Sequence, residues 1–296
     1  MIEAEFLAAL RTLPLHPGAR GLADDAAVVA GLIVTTDTLV ENVHFLSYDP
    51  PGDVAWKLVA TNLSDLAAKG ARPEGVLLSY PLGDDGWDRA FLAGLGEVLT
   101  AFDCPLIGGD TVSLPVGAPR VLTVTALGGN AVAPPRSGAH AGDALWVTGT
   151  IGDAGAGLAI AKGAPGPAEL LDRYRRPQPR LAEGRALAPL VHAMMDVSDG
   201  LLIDASRMAA ASGLAVTIDL AAVPLSPAGR AWRGDALAAA TAGDDYELLF
   251  ALPAGVEPPV GATRVGWFAA GAGLTLVEGE RPVPLPDRLG FEHTPF

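Results

Sequence analysis

The chain has 296 residues, 50% of them hydrophobic, with 36 glycines, 25 prolines and a formal net charge of −14 from 34 acidic and 20 basic residues. Single cores usually stop growing near ~250–300 residues, so two domains are expected, and the apolar fraction excludes a disordered chain. The negative charge argues against non-specific binding to nucleic acid or anionic membrane, and no charge-free apolar run approaches the ~20 residues of a membrane helix.

The opening residues, from Met1 to Phe6, lack the basic start and unbroken apolar stretch of a signal peptide. The one cysteine, Cys104, permits no internal disulfide and reads as a small buried hydrophobe, so a reducing, cytoplasmic setting is expected. In chain order, an apolar run at residues 32–40 is followed by a helical pattern at 53–70, a strand at 76–80, a second helix at 87–102 and a strand at 121–127. The stretch Pro134-Pro135-Arg136-Ser137-Gly138 breaks the pattern and sets the expected domain boundary, 1–136 against 137–296. Beyond it come a strand at 144–148, a glycine-rich turn and helix at 149–162, and a strand at 193–197 running into a helix at 201–212. Strands near 215–220, 246–252, 264–268 and 274–277 complete the reading. Helices alternate with strands in both halves, which predicts an α/β (α+β) fold of two domains with mixed sheets covered by helices.

The acids are placed unusually. Asp24 and Asp25, Asp37, Asp65, Asp110, Asp196, Asp199, and Asp244 with Asp245 all sit in apolar or glycine-rich sequence, many at the ends of predicted strands. Taken singly, any one of them reads as a helix cap or turn acceptor. As a set they exceed what capping needs, and short Asp side chains suit rigid placement of oxygens around a small hard cation. An acidic protein that handles phosphate must import positive charge, and Mg²⁺ is the readiest supply.

The helix at 53–70 is small or apolar nearly all round, so it is expected to be buried, and Asn62, Asp65 and Lys69 then become buried polar groups in need of partners. Asp65 and Lys69 are also compatible with an internal ion pair at spacing i, i+4. No Walker A motif and no Rossmann glycine fingerprint is present. The turn at 149–157 offers backbone N–H groups to phosphate or, equally, glycines for close packing. Arg136 suits a phosphate contact through its guanidinium. His44, at the end of the strand carrying Asp37, reads equally as structural or functional.

In motif order from about Gly21 to the C-terminus, these segments resemble the thiamine-monophosphate kinases of the aminoimidazole ribonucleotide synthetase-like superfamily. The Thr35-Thr36-Asp37-Thr38-Leu39-Val40-Glu41-Asn42-Val43-His44 and Asn62-Leu63-Ser64-Asp65 stretches carry the likeness, with Asp244-Asp245-Tyr246-Glu247 and the final Gly290-Phe291-Glu292-His293. The resemblance implies Asp25, Thr35, Thr36, Asp37, Asp65, Asp110, Asp196 and Asp199 as metal ligands for several Mg²⁺ ions. It implies Gly109, Asp110, Arg136 and Ser198 at ATP, and His44, Asp244 and Phe291 around thiamine monophosphate. It further implies a homodimer and direct in-line transfer of the γ-phosphoryl group, with no covalent catalytic residue. Ala23 stands where the family usually has Gly, and Asp244 where Glu is usual. The rival readings are another ATP-dependent reaction of the superfamily, or a non-catalytic nucleotide- and metal-binding dimer. The absence of a reactive N-terminal cysteine argues against selenide chemistry.

Overall fold

The computed structural model describes residues 3–129 and 131–293. A helix α1 (Glu3–Leu10) precedes a five-stranded sheet built from β1 (Ala27–Val29), β2 (Leu32–Val40), β3 (Arg72–Leu82), β4 (Leu106–Ser113) and β5 (Val121–Gly129), in the order β1-β2-β5-β3-β4. Two helices, α2 (Pro51–Ala68) and α3 (Asp85–Ala101), join its strands. Residues 131–143 carry neither helix nor strand and lead into a seven-stranded sheet. Its strands are β6 (Ala144–Thr148), β7 (Ala193–Asp196), β8 (Leu214–Asp219), β9 (Leu248–Leu252), β10 (Ala262–Ala270), β11 (Gly273–Glu278) and β12 (Arg281–Val283), in the order β12-β11-β8-β10-β6-β9-β7. Both sheets are mixed: β3 pairs parallel with β4, and β8 with β11. The helices of this second unit are α4 (Asp153–Ala161), α5 (Ala168–Arg175), α6 (Leu181–Leu187), α7 (Leu201–Ser212), α8 (Pro227–Trp232) and α9 (Ala236–Ala240).

Alternation explains the first sheet. Ile33, Thr35 and Leu39 of β2, with Leu122, Val124 and Ala126 of β5, turn to the core, while Thr36 and Thr38 turn away. On that outer face Thr38 bonds Thr123 at 2.8 Å and Thr125 bonds Thr36 at 3.1 Å. β4 is exposed along its whole length and forms the open edge.

The second helix, α2, holds the molecule together. Leu58, Val59, Leu63 and Leu66 are fully buried against the first sheet, each worth about 1.5–3 kcal/mol of burial. Its last turn, Ala67 and Ala68, packs instead with Leu187, Ala188, Met194 and Phe250 of the second unit. A helix between two sheets has no solvent face, which is why its sequence is small or apolar all round. The helix begins two residues before the expected start, because Pro51 is tolerated where an amide has no partner. It stops at Gly70, whose φ of +64° closes the end while the Ala71 amide donates to Leu66 O at 2.9 Å.

Other boundaries moved for similar reasons. The expected helix at 149–162 shortens to α4 because Gly149 and Gly152 take positive φ in the turn. The strand expected from 246 starts at Leu248, since Tyr246 has φ +53°. β4 was not expected as a strand, because Gly108 and Gly109 interrupt its pattern. Among the described residues no helix is long and apolar enough to cross a membrane.

Candidate active site

Between the two units lies a cavity of about 890 Å³, lined from the first by Asp37, His44, Thr61 and Asp65 and from the second by Asp196, Ser198, Asp199, Asp244 and Tyr246. The carboxylates arrive from three directions. Asp37 comes from β2, Asp65 from the buried α2, and Asp196 from the last residue of β7, with Asp199 in the turn that follows. Asp25 enters from the segment before β1, and one oxygen each of Asp25, Asp65 and Asp196 lies within 4.8 Å of the others.

The electrostatics are lopsided. Burial pushes the Asp65 carboxyl well above its ordinary range, and the neighbouring Asp37, Asp196 and Asp25 push it further. Asp196 is also raised by burial and then by Asp25, although Ser64 Oγ donates to it at 2.6 Å. Asp37 is pushed up to about 6, by burial and then by Asp199 and Asp25. Burial also opposes charge on Asp25, but Lys69 and Arg136 outweigh it and hold that carboxyl below the usual range. The Lys69 ammonium, fully buried, sits 2.7 Å from Asp25 Oδ2 and 2.5 Å from Asp24 Oδ1. It also donates to Pro134 O at 3.2 Å and Met194 O at 3.0 Å.

The i, i+4 ion pair between Asp65 and Lys69 therefore does not form. Lys69 is the C-cap of α2 and turns to Asp24 and Asp25, while Asp65 takes a hydrogen bond from the Thr35 hydroxyl. Asn62, the third buried polar group of that helix, accepts the Asp37 amide at 3.0 Å and so pins β2 to α2. A set of Asp oxygens with mutually raised proton affinities and too few ammonium or guanidinium partners fits a hard divalent cation, whose charge would relieve the repulsion.

Arg136 reaches Asp25 from the linker between the sheets, and its Nε is buried without a hydrogen-bond partner among the described residues. Ser198 lines the cavity, and its amide is held by Asp204 Oδ2 at 3.1 Å. Three of the sequence-derived positions lie apart. Thr36 points to the outer face of the first sheet, where its hydroxyl donates to Val124 O at 3.1 Å. Gly109 and Asp110 lie on β4, separated from β2 by β5 and β3, a span of roughly 14 Å at the usual strand spacing.

One end of the cavity is aromatic. His44, Phe291 and His293 group with ring centroids 5.0–6.5 Å apart. His44 Nδ1 accepts the Val40 amide at 3.0 Å, so the other ring nitrogen carries the proton. Burial and then His293 hold this imidazole below its ordinary pKa. Asp244, at φ +69°, is paired with the buried Lys57 ammonium at 2.7 Å and accepts the Tyr246 hydroxyl at 2.9 Å.

Sequence reasoning missed Lys57, Tyr246 and His293; only a buried lysine in the apolar run of α2 hinted at the first. It also missed Asp204, and it singled out Asp245 without giving it a role; both organise turns. Asp204 accepts the amides of Ser198, Asp199 and Gly200 at 3.0–3.2 Å, and burial followed by Asp199 pushes it up to about 7. Asp245 accepts the Gly152 amide at 2.8 Å. That bond gives the amide at the start of α4 to a carboxylate, which counts against a phosphate at that amide.

Two α/β units closing on an acid-lined cleft define the AIR synthase related class: residues 23–129 match the model of the AIR synthase related protein N-terminal domain, and residues 140–281 that of the C-terminal domain. The thiamine-monophosphate kinase of Caulobacter vibrioides is 40% identical, with 94% of this chain and 86% of that protein aligned. The Escherichia coli K12 thiamine-monophosphate kinase is 36% identical over 92% and 91%. The structure of AaThiL complexed with AMPPCP and TMP superposes with a TM-score of 0.88 at 29% identity, covering 99% of this chain and 97% of that one. Thiamine-monophosphate kinase from Stenotrophomonas maltophilia K279a gives 0.76 at 37%, covering 92% and 94%. The chain belongs to the thiamine-monophosphate kinase family.

Proposed function

We propose that this protein transfers the γ-phosphoryl group of ATP to thiamine monophosphate, giving thiamine diphosphate and ADP. The observation that carries the reading is the juxtaposition, in one cavity, of the Asp25–Asp65–Asp196 carboxylate cluster with the aromatic group of His44, Phe291 and His293. The kinase names of the relatives and the pairing of AMPPCP with TMP in AaThiL support it.

Asp25, Asp37, Asp65, Asp196 and Asp199 would hold Mg²⁺, with the neighbouring Thr35; Thr36, on the outer face of the sheet, would not. The ions would supply the positive charge that two phosphate groups need before they can approach each other. Arg136, with its unsatisfied Nε, would take an ATP phosphate oxygen, and the held Ser198 amide segment would border the nucleotide. Phe291 and His44 would stack on the acceptor's heteroaromatic rings, and Asp244 would face its thiazolium cation. An oxygen of the acceptor phosphate bonds to the γ-phosphorus as the bond to the β–γ bridging oxygen breaks, and ADP leaves with that electron pair. Among the described residues none couples a nucleophile to an activating base at this position, so the protein's part is positioning and charge neutralisation.

The two units are taken as residues 1–136 and 137–296. Gly109 and Asp110, on the open edge β4 and apart from the carboxylate cluster, would meet the nucleotide at that edge. The exposed edge β4 and the uncovered threonine face of the first sheet support a homodimer. A cytoplasmic setting agrees with the lone buried Cys104.

Coupled measurement of ADP release tests the activity. Thiamine monophosphate should start ADP release in the presence of Mg²⁺, and EDTA should stop it. No release with this acceptor would return the protein to the wider family.

A further inference from the structure

The second sheet carries another cluster at its far end. β6 and β7 both run antiparallel to β9 and therefore parallel to each other. Asp196 closes β7 at the cleft; His192 precedes the other end of that strand, and His140 and Asp143 precede β6. Four residues of strand put this group roughly 13 Å from the acid cleft. The Asp143 carboxylate, 5% exposed, accepts the His140 amide at 2.8 Å and meets His192 Nδ1 at 2.8 Å. The two imidazole centroids are 4.2 Å apart at an interplanar angle of 55°, and one donor atom from each of the three residues lies within 4.8 Å of the others. Among the described residues, no further hydrogen bond holds either ring.

We propose that His140, Asp143 and His192 form a second metal site, for a borderline divalent transition metal such as Zn²⁺. The donor chemistry separates it from the cleft. Two imidazoles and one carboxylate match Zn²⁺, Co²⁺ or Ni²⁺, whereas Mg²⁺ prefers all-oxygen ligands. Asp143 Oδ2 and His192 Nδ1 lie 2.8 Å apart, close enough for one ion to take both once the proton between them is displaced. Three protein ligands leave a fourth position open to water.

The position suggests what binding does. Gly138 passes so close to the strand leading into β7 that an added Cβ would collide with the His192 carbonyl oxygen. The Met194 amide donates to Pro135 O at 3.1 Å on the same strand. A metal joining His140 to His192 clamps the end of the linker that carries Arg136, tying the guanidinium at the cleft to the second sheet.

Tag-free full-length protein, kept in excess Mg²⁺ so that the cleft is satisfied, is titrated with Co²⁺ and followed by its visible absorption. One Co²⁺ per chain, displaced by Zn²⁺, is expected. His140→Ala and, separately, His192→Asn should weaken it by at least ~10-fold while the circular-dichroism spectrum and the ADP-release rate in Mg²⁺ stay unchanged. Asp65→Asn should bind Co²⁺ as the wild type does. The proposal is overturned if the wild type shows no Co²⁺ band, if both histidine variants bind like wild type, or if Asp65→Asn abolishes the band.

Discussion

Replacing Asp65 by Asn should move stability and activity in opposite directions. In the metal-free protein, an ionised Asp65 faces carboxylates within 4.8 Å. At an effective dielectric constant near ~20, each such ionised neighbour costs about 3.5 kcal/mol. The group can escape by taking a proton, at about 1.4 kcal/mol per pH unit above the ordinary 3.8, so the penalty is capped at about 4 kcal/mol near neutrality. Asn removes the charge, keeps an oxygen for the Thr35 hydroxyl, and turns an amide toward carboxylate acceptors. After allowance for imperfect geometry, a gain of about 1–3 kcal/mol is expected in EDTA, seen as a rise of several degrees in Tm. With ATP and Mg²⁺ the balance reverses, because one negative charge that opposes the metal is gone. At about 4 kcal/mol per unit charge, turnover should fall roughly 10³-fold. Thermal melts in EDTA and steady-state ADP release test both halves. A variant that is less stable without metal, or that turns over within a few-fold of wild type, would refute the reasoning.

The raised carboxyls make a pH prediction. Asp37 and Asp204 are pushed up to about 6 and about 7 in the fold from an ordinary 3.8, so their penalty is absent below 3.8, grows through that window and is complete above about pH 7. Asp25 works in the opposite sense but is outnumbered. Metal-free protein should lose Tm as pH rises from about 4 to about 7, and the gain from Mg²⁺ should widen over the same range; a Mg²⁺ effect independent of pH would count against the cluster. Direct transfer predicts no phosphoenzyme: γ-labelled ATP without acceptor should leave no label on the protein after acid quench or gel filtration. Unphosphorylated thiamine should be a very poor acceptor, and Phe291→Ala should mainly raise KM for thiamine monophosphate. Equal kcat/KM for both acceptors would remove the pocket from consideration.

The sequence by itself determined the order and type of the main elements and the burial of α2, because both follow from local periodicity. Leu201–Ser212 and Ala144–Thr148 were legible to the residue, since caps and apolar spacing there agree. The second helix likewise announced that Asn62, Asp65 and Lys69 would be buried polar groups. The resemblance to a kinase family then supplied roles for the aspartates. Tertiary structure alone decided which partners those groups meet. Lys69 was free, on spacing, to pair with Asp65; the end of α2 aims it at Asp24 and Asp25, some 44 residues away along the chain. Lys57 with Asp244, Ser64 with Asp196 and Asp245 with Gly152 are likewise long-range pairs that no window of sequence contains. The same holds for Gly109 and Asp110, whose motif pointed to the nucleotide but whose strand lies at the open edge of the first sheet. Helical and strand pitch fix which side of an element a side chain occupies within a few residues, whereas the partner of a buried charge is chosen by how whole elements pack.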